Sequence, residues 1–183
     1  DTANAVAAKK AYSEIANAWN LYRANHNGEV AGTFTGITTL KDNFLKKHFS
    51  YVSETSFDVN IHTIQNLYNT DTVDIQSGIY KTDGMFFGFQ NASSDCYFNE
   101  TTGYCAQMWI DVNGKKGPNK KGYDVFFIAL MTDRILPYDT QYGETDIINL
   151  QCIKPENGGT GDTTNIGYGC LKRILENKPK WSS

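Results

Sequence analysis

The residues best suited to chemistry in this 183-residue chain lie in a single loop. Between Trp109 and Phe127 it reads WIDVNGKKGPNKKGYDVFF, with Asp111, Asn113, Asn119 and Asp124 set among three glycines and Pro118. Carboxylate and amide oxygens, joined by backbone carbonyls that glycine frees to turn inward, are the hard ligands that calcium takes. Lys115, Lys116, Lys120 and Lys121 in the same loop oppose a cation, and the spacing is not that of an EF-hand. The same residues suit a stiff hairpin: glycine takes φ > 0, proline lowers loop entropy, Asn and Asp cap their own backbone, and lysines solvate the tip. The stiff hairpin accounts for every residue type in the loop, calcium for only some of them, and no other cofactor is indicated.

Other chemistry is sparse. His26, His48 and His62 are far apart in sequence and have no partner at metal or catalytic spacing. No GxSxG elbow, HExxH helix, P-loop or GxGxxG fingerprint occurs. Asp71, Asp74, Asp133, Asp139 and Asp146 are scattered and single out no acid–base pair, so catalysis is not expected. With 17 basic against 20 acidic residues there is no basic face for phosphate, which argues against nucleic acid as a partner.

Four cysteines form two local sets. Cys96 and Cys105 enclose YFNETTGY, and Cys152 and Cys170 enclose a longer glycine-rich segment. Neither spacing is that of a zinc knuckle or redox site. Disulfides 96–105 and 152–170 are the favoured pairing of three, since each closes a glycine-rich loop, and they imply an oxidising compartment. On the chain-entropy model each bridge contributes roughly 2.5–3 kcal/mol. Four reduced, buried cysteines are the alternative.

The elements that must position these groups follow from periodicity. Over residues 1–27, Ala5, Ala8, Tyr12, Ile15, Trp19 and Tyr22 recur at alternating steps of three and four, the stripe of an amphipathic helix that Gly28 ends. So regular a helix at the start of the chain is expected to continue upstream. A second helix is predicted over 39–49 with Thr39 as N-cap, then an irregular stretch with short strands near 57–61. IYKTDGMFFGFQ reads as a hairpin turning at Thr82–Gly84, and segments 105–112 and 123–131 read as strands, the second apolar enough to be covered on both faces. A short helix is predicted over 170–177. The expectation is one α+β domain: helix (1–27), helix–loop insert (28–77), an antiparallel sheet of about four strands (78–140), and a disulfide-closed C-terminal region (141–183).

In this order the chain resembles the globular domains of type IV pilin-like proteins, the pilins and pseudopilins of bacterial filaments. The residues carrying the resemblance are DVNGKKGPNKKGYDVF (111–126), similar to a DxNGxxGPNxxGxDxF hairpin of that group, with GYGCLKRILEN, Trp181, the alanine-rich first helix and LKDNFLKKHFSYV in support. The resemblance implies a pilin-like roll, a long helix on a four-stranded sheet, with Cys152 and Cys170 bounding the C-terminal loop. It further implies an apolar leading half-helix that anchors the precursor in the inner membrane, polymerisation with copies of the chain and other pilin-like subunits, and an extracellular filament as destination. Calcium-binding pseudopilins of type II secretion carry an acidic loop near the C-terminus; ENGGTGDTTN is sparsely acidic here, which favours a pilin. The rival reading is a secreted glycan-binding or adhesin module with Trp109, Tyr97, Tyr104 and Tyr168 as a stacking platform.

Overall fold

The computed structural model describes residues 2–55, 63–65, 72–75, 77–140, 151–152 and 167–178. The strands expected near 57–61, His62, Asp71, Asp146, Trp181 and the segment ENGGTGDTTN lie outside the described residues.

Helix α1 spans Thr2–Asn25 without a glycine or proline. Its buried residues are Asn4, Ala8, Ala11, Ile15, Ala18, Trp19 and Tyr22. Ala8, Ile15, Trp19 and Tyr22 lie on the seam as expected, whereas Ala5 and Tyr12 are half-buried on its flank. The seam is rotated because Ala11 and Ala18 present almost no side chain and let the helix axis approach the sheet. Trp19 anchors the contact, its Nε1 donating to the Met131 carbonyl at 2.7 Å while its ring stacks on Tyr22 at 5.1 Å. At the C-terminus Asn27 and Gly28 both take positive φ (54° and 82°), and the Gly28 N–H returns to the Arg23 carbonyl at 2.8 Å.

The second helix, α2, begins earlier than expected. It comprises an α turn Ile37–Leu40, a π turn Lys41–Leu45 and a last α turn Lys46–His48. Thr39 is therefore not the N-cap: it sits in the first turn, where its Oγ1 accepts the N–H groups of Thr35 and Gly36 at 2.7 and 3.2 Å. Leu40, Phe44 and Leu45 are fully buried against α1 and the sheet.

The main sheet has six antiparallel strands, not about four, in the order β1–β4–β5–β8–β9–β10. They are β1 (Tyr51–Thr55), β4 (Ser77–Lys81), β5 (Phe86–Ala92), β8 (Tyr104–Asp111), β9 (Val125–Met131) and β10 (Ile135–Leu136). Two-residue β10 and edge strand β1 supply the extra pair, and β1 falls inside the segment expected to be an insert. Two small ribbons stand apart, β2 (Thr63–Gln65) with β3 (Thr72–Asp74), and β6 (Tyr97–Phe98) with β7 (Thr101–Thr102). The β4–β5 turn falls at Thr82–Gly84 as expected, closed by the Lys81 N–H donating to the Met85 carbonyl at 2.8 Å.

β9 is covered on both faces. Phe126, Ile128 and Leu130 join the core beneath α1, and Val125, Phe127, Ala129 and Met131 join a second core on the opposite face. The alternation follows from the period-2 geometry of a strand. The short C-terminal helix α3 spans Cys170–Leu175 and inserts Leu171 and Ile174 into the first core.

Candidate functional site

The loop between β8 and β9 is built around two fully buried carboxylates, Asp111 and Asp124. Asp111 Oδ1 accepts the N–H groups of Asn113 and Gly114, both at 2.9 Å. Asp124 Oδ2 accepts the Asn119 N–H at 2.9 Å and Asn113 Nδ2 at 3.3 Å, and its Oδ1 accepts the Lys120 N–H at 2.6 Å. Asn119 Nδ2, with its amide turned to face acceptors, reaches Asp111 Oδ2 at 2.9 Å and the Lys116 carbonyl at 3.2 Å. The four residues read as cation ligands are thus brought together, joined by N–H donors. Charge-assisted bonds of this kind are stronger than neutral ones, and here they fix a tip that contains a cis Gly117–Pro118 bond and a left-handed Asn119 (φ 55°).

Three other elements hold this loop. Asn4, near the start of α1, donates from Nδ2 to the Tyr123 carbonyl at 3.1 Å. Gly114 packs against the Gly84 carbonyl of the β4–β5 turn, and Gly122 packs against Cys170 Sγ. Lys115 and Lys116 point to solvent at the tip, with the Lys115 ammonium 4.8 Å from the Tyr80 ring centroid. Lys121 does the opposite: it is 2% exposed, its ammonium 4.8 Å from the Tyr168 ring centroid and 5.5 Å from that of Trp109. Nothing in the run NKKGYD separates Lys121 from its half-buried neighbour Lys120; the placement of Trp109 and Tyr168 does.

These contacts bear on calcium directly. Each Asp111 or Asp124 oxygen named above already faces an N–H donor, so binding a cation would require the loop to give those bonds up. Millimolar calcium, compared with a chelator, is expected to leave the melting temperature unchanged within about 1 °C. A shift of several degrees would instead report a native-state site, by mass action.

Both disulfides are formed, Cys96–Cys105 and Cys152–Cys170. The first closes the β6–β7 ribbon, whose turn residues Asn99 and Glu100 both have positive φ (49° and 58°). Asp95, Tyr97 and Glu100 are exposed there, Asp95 Oδ1 accepting Ser93 Oγ at 2.7 Å and the Tyr97 N–H at 3.2 Å. Of the four aromatics proposed as a stacking platform, Trp109, Tyr104 and Tyr168 are buried in the second core and Tyr97 alone is exposed, so they form no common surface.

Two polar clusters escaped sequence reasoning. Buried Asp139 accepts from Tyr104 Oη at 3.2 Å and Gln107 Nε2 at 3.0 Å, and Asn91 Nδ2 donates to Gln107 Oε1 at 2.7 Å. Burial, and then the Asp139 carboxylate, push the Tyr104 phenol far above its ordinary value, so it remains a donor. Asp139, Gln107 and Tyr104 are buried, and Asn91 is half-buried at the edge of the cluster. The second lies at a cleft of about 480 Å³ between α1, the end of α2 and the β4–β5 turn. There the Lys81 ammonium meets Glu14 at 2.8 Å and Asp83 at 3.0 Å over the Phe87 ring. Burial raises the Asp83 carboxyl, but Lys81 and the Met85 N–H outweigh it and hold the group below the ordinary carboxylate range. No group of three or more His, Cys, Asp or Glu residues suited to a metal occurs among the described residues. Comparison with known protein families, curated proteins and solved structures finds no match to this chain.

Proposed function

We propose that the chain is the head domain of a filament subunit resembling the type IV pilins, acting by polymerisation and without catalysis. The observation that carries this reading is the outer face of α1. Its exposed positions include Ala3, Val6, Ser13, Asn17, Leu21 and Ala24, and among all its exposed positions only Lys10 is charged. A helix that caps a monomer's sheet ordinarily turns charged residues outward, and a smooth, nearly uncharged face over 24 residues suits contact with further helices. Val6 and Leu21, 62% and 54% exposed, would be covered by that contact.

The hairpin at 111–126, the long helix on an antiparallel sheet and the C-terminal disulfide are the arrangement that the resemblance implies. On this reading the six-stranded sheet is a broadened form of the pilin-like roll. Burial of apolar area contributes about 25 cal/mol per Å², and a helical array repeats that gain at every subunit. The precursor would be held in the inner membrane by an apolar extension of α1 until assembly. No helix among the described residues is itself long and apolar enough to cross a membrane.

The test is the coding sequence upstream of Asp1. The proposal expects a short basic leader followed by about 20 apolar residues in helical continuity with α1. A conventional signal peptide ending in a small-residue cleavage site directly before Asp1 would overturn it and favour a secreted binding module.

A further inference from the structure

Strand β8 carries a charged, conformationally fixed loop at each end, and the two loops are of opposite sign. At its start, the disulfide-closed β6–β7 ribbon exposes Asp95 and Glu100 beside Tyr97, and residues 93–104 contain no basic side chain. At its far end, the tip held by Asp111 and Asp124 exposes Lys115 and Lys116, with half-buried Lys120 beside them. β8 has eight residues, so its ends lie roughly 25 Å apart. The two loops therefore cannot neutralise one another within one molecule.

Among the described residues, no ion pair joins Asp95, Glu100, Lys115, Lys116 or Lys120 to another side chain. At the acidic end Arg134 is paired with Asp133 at 3.6 Å, and at the basic end Asp83 is taken up by Lys81 at 3.0 Å. We infer that the partner of each loop is the opposite loop of a second copy: the Lys115–Lys116 tip of one subunit docks on the Asp95–Tyr97–Glu100 ribbon of the next. Because the two patches differ and face opposite ends of the domain, the contact is head-to-tail and does not close on itself, the geometry that generates a filament. Preformed loops lose little conformational entropy on docking, and exposed Tyr97 supplies an aromatic anchor of the kind enriched in protein interfaces. The inference rests on the filament reading and adds to it a specific axial contact outside the helix bundle.

The test uses the purified chain in two nitrogen-isotope forms, mixed at millimolar concentration and treated with a carbodiimide, which joins a carboxylate to an amine with no spacer. Peptides joining Lys115, Lys116 or Lys120 to Asp95 or Glu100, one half from each isotope form, are the expected product. The yield of the Lys120 links should fall about tenfold in a Lys115→Glu/Lys116→Glu variant, which keeps the Lys120 amine but sets like charges against each other. It should also fall with added salt as the screening length drops below about 8 Å. Adding Glu100→Lys to that variant should restore association, read by sedimentation as recovery of the larger species. All three positions are exposed, so unchanged melting temperatures verify that the variants fold. Mixed-isotope links elsewhere with none between these loops, or no intermolecular link at all, would overturn the axial contact. A pilin-type precursor found alongside either result would leave the filament reading standing.

Discussion

Asp124→Ala is expected to lower the unfolding free energy by about 3 kcal/mol or more, seen as a melting temperature roughly 10 °C below that of the parent chain. The reason is specific. One carboxylate receives two backbone N–H groups, from Asn119 and Lys120, and one side-chain amide, from Asn113, in a fully buried position. Alanine leaves those donors without an acceptor where water cannot replace it, and each such group costs about 1–3 kcal/mol. Asp124→Asn keeps one acceptor oxygen and should fall between the two. Circular dichroism during heating measures all three proteins, and an alanine variant melting within about 2 °C of the parent would show that the carboxylate does not hold the hairpin.

Gly114→Ala is expected to be more damaging, by about 4 kcal/mol or enough to prevent folding. Gly114 has φ 60°, and a Cβ there would land on the carbonyl oxygen of Gly84, itself in a turn with φ 91°. Neither backbone can retreat, because Gly114 N–H is bonded to Asp111 and Gly84 N–H to the Lys81 carbonyl. Gly36→Ala is the control: its φ of 171° is ordinary extended backbone and an added Cβ meets nothing within 4 Å. Its melting temperature should match that of the parent, so a large loss at Gly36 or none at Gly114 would contradict the close approach of the two turns.

The parts of the fold legible in the sequence were those with one dominant signal. α1 was legible because its apolar positions repeat at helical spacing from Ala5 to Tyr22, about five turns. β9 was legible because an unbroken apolar run has to be covered on both faces. β1 was not, since YVSET at a sheet edge is mostly exposed and carries no burial pattern. The rotation of the α1 seam was hidden for a related reason: Ala11 and Ala18 weigh little as hydrophobes but allow the closest approach.

The loop at 111–124 shows the limit at the level of a site. Its Asp and Asn residues suit an ion cage as well as a self-capped turn, although its lysines favour the turn, and the difference lies in where the N–H groups point. Buried Lys121 and Lys81 were invisible because each packs on a ring distant in sequence, Tyr168 for one and Phe49 for the other.

Whether this chain polymerises as proposed is read by electron microscopy of cells that produce it, labelled with antibody raised against the whole domain. Surface filaments labelled along their whole length, and lost when the gene is deleted, are the expected result. Label confined to soluble monomer in the medium, with filaments unaffected by the deletion, would contradict it.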